Sequence, residues 1–399
     1  MLALLICLLL RAETLNLSLS YLRASRLSSA PSISKSDWRI DMSIRIIVRT
    51  AVALTLLTTL AAIVQAFPAQ AQNSTAQAAT ASTLLILNKS ENTLAIVDPV
   101  SLKVLGKVPT GEGPHEVVAS ADGRIAYVAN YGTQQKVGNS ISIIDLVARR
   151  EIKRVELGPL LRPHGIVLSN GKLYFTAEVN RVIARYNPAQ DKVDWIMGTG
   201  QSITHMLVIT PDGKRAYTTN IVSGTVTSID FTVPVPQQVT QIQVGKGPEA
   251  IDISPDGTEL WVGQNGEGSI AVIDTATNKV KETIKVGEVP IRVKFTPDGK
   301  RVLVSDPKAG ELVMLDAATR KELKRLKVAG VPVGILITPD GSRAFVAAME
   351  ANKVMVIDMA KLEIVGAIEP GQGPDGLAWA AGAGRDAGAQ VRPANGAQQ

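Results

Sequence analysis

Cysteine is nearly absent from this sequence: Cys7 is the only one among 399 residues, and it lies in an amino-terminal segment that we expect to be removed. The mature chain is therefore predicted to have no disulfide bond, no thiol nucleophile and no thiolate metal site. A serine nucleophile elbow, a phosphate-binding glycine loop and a His-Glu-x-x-His helix are also missing. These absences favour a binding protein over the enzyme classes that depend on those motifs.

Aromatic residues are scarce as well, at 4% of the chain, and the Trp-Asp signature of one large class of repeat proteins is missing. The apolar positions are filled mainly by Val, Ile, Leu and Ala. About 300 residues of this composition can bury most of their apolar surface. We therefore expect a core built from aliphatic side chains.

The first 71 residues resemble a leader. Residues 1–41 combine a short apolar run with a Ser- and Arg-rich stretch, and we interpret them as an upstream extension. From Met42 onward, Arg45 and Arg49 precede an apolar run and small residues, which is typical of a secretory signal peptide cleaved after Ala71. An amino-terminal membrane anchor is the alternative, although the run is shorter than a usual span. We expect a periplasmic or secreted protein with no membrane span in its mature form.

Charge is almost balanced once this leader is set aside. Residues 1–71 hold seven of the 42 basic and three of the 36 acidic residues, so the remainder has 35 and 33 and a net charge of +2. A nucleic-acid reader needs a basic stripe or patch, and only residues 321–327 (KELKRLK) approach one. On an outer strand such a run discourages edge-to-edge aggregation, so nucleic acid is not an expected partner.

The rest of the chain repeats one unit. Residues 244–280 show it clearly, with short Val- and Ile-rich runs separated by turn sequences such as Pro255-Asp256-Gly257. The units open at Pro114, Pro163, Thr204, Pro248, Pro290, Pro332 and Pro374, at intervals of 41 to 49 residues. Seven recurring four-stranded units predict an all-β, seven-bladed β-propeller with antiparallel blades.

The two ends of the array are complementary. Residues 83–110 carry three strands without a first strand, whereas Leu377–Trp379 form a single strand after the last opening. We predict that the carboxy end supplies the innermost strand of a blade whose outer strands come from the amino end, which closes the ring. The propeller then spans residues 83–380, between a linker at 72–82 and a tail at 381–399 that we expect to be disordered.

The repeat resembles the YVTN-repeat β-propellers. The matching residues are Tyr127-Val128-Ala129-Asn130, Tyr217-Thr218-Thr219-Asn220, the Pro-Asp-Gly turns, and the Val-Ile-Asp endings at 272–274 and 356–358. The resemblance covers residues 83–380 and implies the propeller fold together with a binding or scaffold role. Seven-bladed lactonases and streptogramin lyases are more distant relatives of this kind, and they imply an enzyme as the alternative.

All three histidines follow an opening residue, in consecutive units. The loop before the first strand and the loop after the second strand of a blade open on one face, at the mouth of the central channel. His115, His164 and His205 are therefore expected at one rim, together with Glu249 and Asp375 from other units. Inheritance from one ancestral repeat, or a structural role at a strand start, would produce the same pattern.

Functionally, the histidines and Glu249 match an open zinc or copper site in ligand type. One of the histidines acting as a general acid or base on a bound ligand is a second role for the same rim. The sequence leaves the cofactor open, with a divalent metal as the candidate.

A second set of polar residues follows the second strand of each unit. The set comprises Asn88, Asn130, Glu178, Asn220, Asn265, Asp306 and Glu350. Their oxygen atoms suit Ca²⁺, Mg²⁺ or a polar ligand, whereas turn capping is the favoured structural alternative. Arg162 and Arg292 lie beside rim positions and are candidate contacts for an anionic group.

Three functions remain open at this point. The first is a secreted or periplasmic monomer that binds a small molecule, a metal or a protein partner at the channel mouth. The second is a metal- or histidine-dependent enzyme, similar to a lactonase or lyase, at the same rim. The third and least favoured is a haem-binding propeller, in which three histidines would compete for one axial position.

Overall fold

A computed structural model describes residues 82–234 and 239–382 of the chain. Within these ranges, the regular secondary structure consists of twenty-eight β-strands arranged as seven four-stranded sheets. Among the described residues, no helix has the length and hydropathy of a membrane span. The upstream extension, the signal peptide and nearly all of the predicted linker and tail lie outside the described residues.

The strands follow one another in chain order, four to a blade. The chain starts with three strands of blade 7: β1 (Thr83–Asn88), β2 (Thr93–Val97) and β3 (Val104–Pro109). Blade 1 contains β4 (Pro114–Ala119), β5 (Ile125–Gly132), β6 (Val137–Asp145) and β7 (Arg150–Glu156). Blade 2 contains β8 (Pro163–Ser169), β9 (Lys172–Ala177), β10 (Val182–Asn187) and β11 (Lys192–Gly198). Blade 3 contains β12 (Thr204–Ile209), β13 (Arg215–Asn220), β14 (Thr225–Asp230) and β15 (Val239–Gln243).

The remaining blades repeat the pattern. Blade 4 contains β16 (Pro248–Ile253), β17 (Glu259–Gln264), β18 (Ser269–Asp274) and β19 (Lys279–Lys285). Blade 5 contains β20 (Arg292–Phe295), β21 (Arg301–Asp306), β22 (Glu311–Asp316) and β23 (Glu322–Lys327). Blade 6 contains β24 (Pro332–Ile337), β25 (Arg343–Ala348), β26 (Lys353–Asp358) and β27 (Glu363–Ile368). The last strand is β28 (Pro374–Ala380).

Ring closure occurs in blade 7. Strand β28 pairs antiparallel with β1, from Thr83 opposite Ala380 to Asn88 opposite Pro374, so the sheet order is β28-β1-β2-β3. The first strands of successive blades are neighbours around the ring and form the wall of the central channel. The prediction of an all-β, seven-bladed propeller with antiparallel blades is confirmed.

Tight turns set the register of each blade. In blade 4, Asp256 accepts hydrogen bonds from Ser254 Oγ at 2.6 Å and from the Thr258 amide at 3.0 Å. Gly257 follows with φ 74°, a conformation that glycine adopts without steric cost. Because the turn fixes which residues face each other, the apolar side chains of both strands point to the faces between blades.

The core lies between adjacent blades and is mainly aliphatic. One cluster joins blades 7 and 1 through Leu85, Leu94, Val117 and Val128. The outermost strands are different: β19 is exposed along almost its whole length. The expected aliphatic core is therefore present, and it leaves the ends of the channel to polar side chains.

The basic run KELKRLK includes β23, the outermost strand of blade 5. Arg325 and Lys327 both pair with Glu311, at 2.7 Å in each case, and Arg325 also pairs with Glu322. Nearby carboxylates thus neutralise much of the positive charge of this run.

Candidate functional site

The three histidines meet at one mouth of the channel. Each is the second residue of an innermost strand, and these strands are neighbours in blades 1, 2 and 3. The ring centroids of His115 and His164 are 4.6 Å apart, and those of His164 and His205 are 3.8 Å apart. The expectation that these side chains share one rim agrees with their positions.

His164, the central ring, is 1% exposed, and neither of its ring nitrogens has a hydrogen-bond partner among the described residues. Burial, and to a lesser extent the neighbouring His205, lowers the pKa of His164 well below its ordinary value. The ring is therefore neutral, with an available lone pair. Buried polar atoms without a partner are uncommon, and each costs about 1–3 kcal/mol.

His205 is held by a carboxylate from the preceding blade, since Glu178 directly follows β9. Its Nδ1 is hydrogen-bonded to Oε1 of Glu178, and its Nε2 lies 3.8 Å from Oε1 of Glu249. Glu178 also accepts a hydrogen bond of 2.5 Å from the hydroxyl of Tyr131. Burial, followed by the charge of Glu178, raises the pKa of Tyr131, so the phenol stays protonated.

His164, Glu178 and His205 form a compact group of metal-ligand atoms. Each offers one atom, and the three atoms lie within 4.8 Å of one another. Two imidazole nitrogens and one carboxylate oxygen are the donor set of an open transition-metal site. This group differs from the predicted set, since Glu178 takes the place of His115 and Glu249.

His115 has partners of its own. Its Nε2 lies 3.1 Å from Lys89 Nζ, whereas its Nδ1 lies 3.5 Å from Oδ2 of Asp375 and has no hydrogen-bond partner among the described residues. Burial lowers the pKa of His115 to about 3, although Asp375 opposes the shift. Glu249 is likewise engaged, because Asn265 Nδ2 donates a hydrogen bond to its Oε2. These residues flank the compact group and do not join it.

The asparagines after the second strands are interior connectors. Asn130 donates to Ser140 Oγ and Ser142 Oγ, at 3.0 Å each, and accepts from the Gly111 amide. Through these bonds it links its own hairpin to the loop that arrives from the preceding blade.

Asn220 has the same role in blade 3, where it bonds Thr204, Thr225 and Thr227. Both asparagines are buried and have few donors or acceptors left for a ligand. In blade 4 the equivalent residue is Gln264, which lies opposite Pro248, so Asn265 is one residue past the repeated position.

The two arginines occupy different surroundings. Arg292 lies inside the channel, where it pairs with Glu116 and places Nη1 3.0 Å from the sulfur of Met206. Arg162 lies at the mouth, with its Cζ 4.7 Å from the centroid of the Tyr131 ring and its Nη2 bonded to the Thr133 carbonyl at 3.0 Å. Only Arg162 is placed to contact a ligand that arrives from outside.

Tyr131 and Glu116 are site residues that the sequence interpretation missed. Tyr131 belongs to an extended β5–β6 hairpin, whose only trace in the sequence is the 49-residue interval between Pro114 and Pro163. Its ring stacks on His115 at 5.0 Å and meets the edge of His164 at 5.3 Å. The longer hairpin thus places a phenol over two imidazoles.

Below the histidines, the channel contains a cavity of about 290 Å³ lined by the innermost strands. Its walls combine aliphatic side chains with two ion pairs, Arg292–Glu116 and Lys294–Asp252. A second cavity of about 380 Å³ includes Lys294, Pro297 and Trp379. The channel thus presents both charged and aliphatic side chains below the polar rim, a mixture that is found in ligand sites.

A family model described as YNCE-like beta-propeller matches residues 44–385. One similar solved structure is Kuenenia stuttgartiensis hydrazine synthase, with a TM-score of 0.58 and 20% identity over 67% of this chain and 89% of that chain. Another is a functionally unknown protein from Desulfotomaculum acetoxidans, with a TM-score of 0.65 and 12% identity over 75% of this chain and 99% of that chain. Identities this low show a shared fold alone. No curated protein matches the chain significantly.

Proposed function

This chain belongs to the YNCE-like β-propeller family, and we propose that it is a periplasmic or secreted protein that binds a divalent transition-metal ion at the mouth of its channel. The ligands are His164, Glu178 and His205. One observation carries the proposal: a neutral, buried imidazole, whose two nitrogens lack partners among the described residues, offers a ligand atom within 4.8 Å of those of a carboxylate and a second imidazole. A metal ion would take the lone pair of the unprotonated His164 nitrogen, which no described protein group uses.

The donor types select the class of metal. Imidazole nitrogens suit zinc, copper and similar ions, whereas calcium and magnesium prefer an all-oxygen shell. Three protein ligands leave a coordination position for water or a small molecule. That position supports binding of a second ligand at the mouth, in keeping with the role expected from the sequence.

Metal analysis tests the proposal. We expect untagged protein, stripped with a chelator and reloaded with zinc or copper, to retain one ion per chain, and calcium to be retained far less. His164→Leu and Glu178→Gln should each abolish stoichiometric retention. His115→Gln is the matched control, because this histidine lies at the same rim outside the ligand group, and it should keep the ion.

Two results would contradict this function: wild-type protein that retains no metal, or a His164→Leu variant that still binds one equivalent. Circular dichroism of each variant establishes that the propeller has folded. Fractionation of cells that express the chain with its own leader tests the location, for which we expect an extracytoplasmic protein that begins after Ala71.

A metal-dependent enzyme at the same rim is the second candidate. The Tyr131 hydroxyl beside Glu178 favours it, because a protonated phenol next to an open metal position can donate a proton to a leaving group. Hydrolysis of lactones by the metal-loaded protein, lost in Tyr131→Phe with metal retained, would support the enzyme over the binding protein.

A further inference from the structure

Arg162 occupies a backbone position that favours glycine. It precedes the first residue of β8 and has φ 54°. The same position in blades 1, 4 and 7 is held by Gly113, Gly247 and Gly373, with φ of 59°, 66° and 64°. A side chain in this left-handed region costs about 1–2 kcal/mol. Ile203 shares the position in blade 3 with φ 56°, so the conformation by itself does not mark a function.

The contacts of Arg162 set it apart from Ile203. Its guanidinium lies over the ring of Tyr131, and one of its five N–H groups donates to the Thr133 carbonyl. Within the described ranges, no carboxylate comes within ion-pair distance of it. A half-buried arginine without a counter-ion, at the rim of a channel, has donors available for an anion.

Tyr131 connects this guanidinium to the proposed metal ligands. One phenol contacts Arg162 through its ring, bonds Glu178 through its hydroxyl, and packs against His164. Arg162 is therefore separated from the ligand group by a single side chain. A small molecule that fills the remaining coordination position of the metal would lie beside both.

The net charge of the channel mouth determines which charge a small molecule bound there should carry. Three carboxylates, from Glu178, Glu249 and Asp375, face two cations, from Lys89 and Arg162. An imidazole that binds a metal through its lone pair is neutral, so the ligand histidines contribute no charge. A divalent ion and the two protein cations together supply four positive charges, and the three carboxylates supply three negative ones. The site with its metal therefore has a net charge of +1. A monoanion completes the balance, which favours a carboxylate over a doubly charged phosphate.

We propose that the metal ion at the channel mouth takes a small carboxylate ligand, and that Arg162 binds the carboxylate group of the same ligand. This inference rests on the proposed metal function and adds the ligand class. Arginine suits the task because its planar N–H donors match the two oxygens of a carboxylate.

Arg162→Gly is a clean test, because glycine fits φ 54° without strain and removes the guanidinium. Ile203→Gly is its matched control, with the same backbone change one blade away. Each protein is loaded with Co²⁺, whose visible spectrum reports changes at the metal, and is titrated with acetate, with phosphate in a separate arm. Metal content is measured on the same samples.

We expect all three proteins to bind one cobalt ion. Acetate should bind wild type and Ile203→Gly equally, and Arg162→Gly about tenfold to a hundredfold more weakly, as loss of a charge-assisted hydrogen bond predicts. Arg162→Lys should fall between them, because lysine keeps the charge and loses the planar donor pair.

The alternative outcomes are distinct. Equal acetate affinity in wild type and Arg162→Gly, with cobalt still bound, overturns the role of Arg162 and leaves the metal site standing. Phosphate that binds more tightly than acetate, with the same dependence on Arg162, overturns the carboxylate assignment. Failure of wild type to bind cobalt, zinc or copper removes the proposed function and this inference together.

Discussion

Replacement of Arg292 by methionine should destabilise the propeller in a strongly pH-dependent way. The Arg292 and Glu116 side chains form an ion pair inside the channel and are only 12% and 14% exposed. Burial raises the pKa of Glu116, and the positive charge of Arg292 opposes that rise. Methionine preserves most of the apolar stem but leaves a buried carboxylate without its partner, a change that costs about 3–5 kcal/mol.

Protonation limits this cost and gives it a pH signature. In the variant, the pKa of Glu116 rises further above its value in folded wild type, which burial has already raised. Between these two folded-state pKa values, the variant keeps a proton on Glu116 that wild type has lost. The variant therefore loses stability relative to wild type as the pH rises through this window, by about 1.4 kcal/mol for each pH unit. We expect a smaller deficit at pH 5 than at pH 8.

Urea unfolding of wild type and variant between pH 5 and pH 8 measures this difference. The double variant Glu116→Leu, Arg292→Met is the control, because removal of both charges leaves no buried carboxylate to titrate, so its stability should depend on pH less than that of the single variant. The reasoning is refuted if the single variant loses the same free energy at pH 5 and pH 8, or if the double variant is as pH-sensitive as the single one.

Two further substitutions test the architecture around the mouth. A Cβ on Gly334 would lie 2.0 Å from the carbonyl oxygen of Asp375 on the next innermost strand, so Gly334→Ala should lower the free energy of unfolding by about 1–3 kcal/mol. Gly198→Ala, which meets nothing within 4 Å, is its control in the same urea experiment. Asn220→Ala removes bonds to three buried threonine hydroxyls and should lower the free energy of unfolding by about 2–4 kcal/mol. Asn265→Ala, at a half-buried position, should lower it by about 1 kcal/mol or less. If Asn265→Ala lost as much stability as Asn220→Ala, the connector role of Asn220 would be contradicted.

Much of the fold could be predicted because the repeat carries local information. Each Pro-Asp-Gly turn and each Val-Ile-Asp ending specifies one hairpin, and the seven copies of the repeat specify the ring. The position of a residue within the repeat also sets its height along the channel, which is why His115, His164 and His205 could be placed at one mouth before any coordinates. The repeat period does not predict which side chains contact each other.

The composition of the ligand group shows this limit. Glu178 was expected only as one member of a ring of polar residues, yet it lies between Tyr131 and His205. Asn130 and Asn220 belong to the same ring and turn inward to bond serine and threonine hydroxyls. Part of the difference is register: Ala177 lies opposite Pro163 as Asn130 lies opposite Pro114, so Glu178 is one residue past the position of the asparagines. The rest comes from neighbours on other strands, which the repeat does not encode.

The sequence by itself determined the blade count, the closing strand and the face on which the histidines gather, because all three follow from hairpins that are local in the chain. Only the tertiary structure decided that, among the described residues, His164 is left without partners, Glu178 lies beside it, and Arg162 reaches the mouth without a carboxylate beside it. Those features depend on side-chain distances of a few ångströms between blades 1, 2 and 3, and such distances are fixed by packing across strands that lie about 40 residues apart.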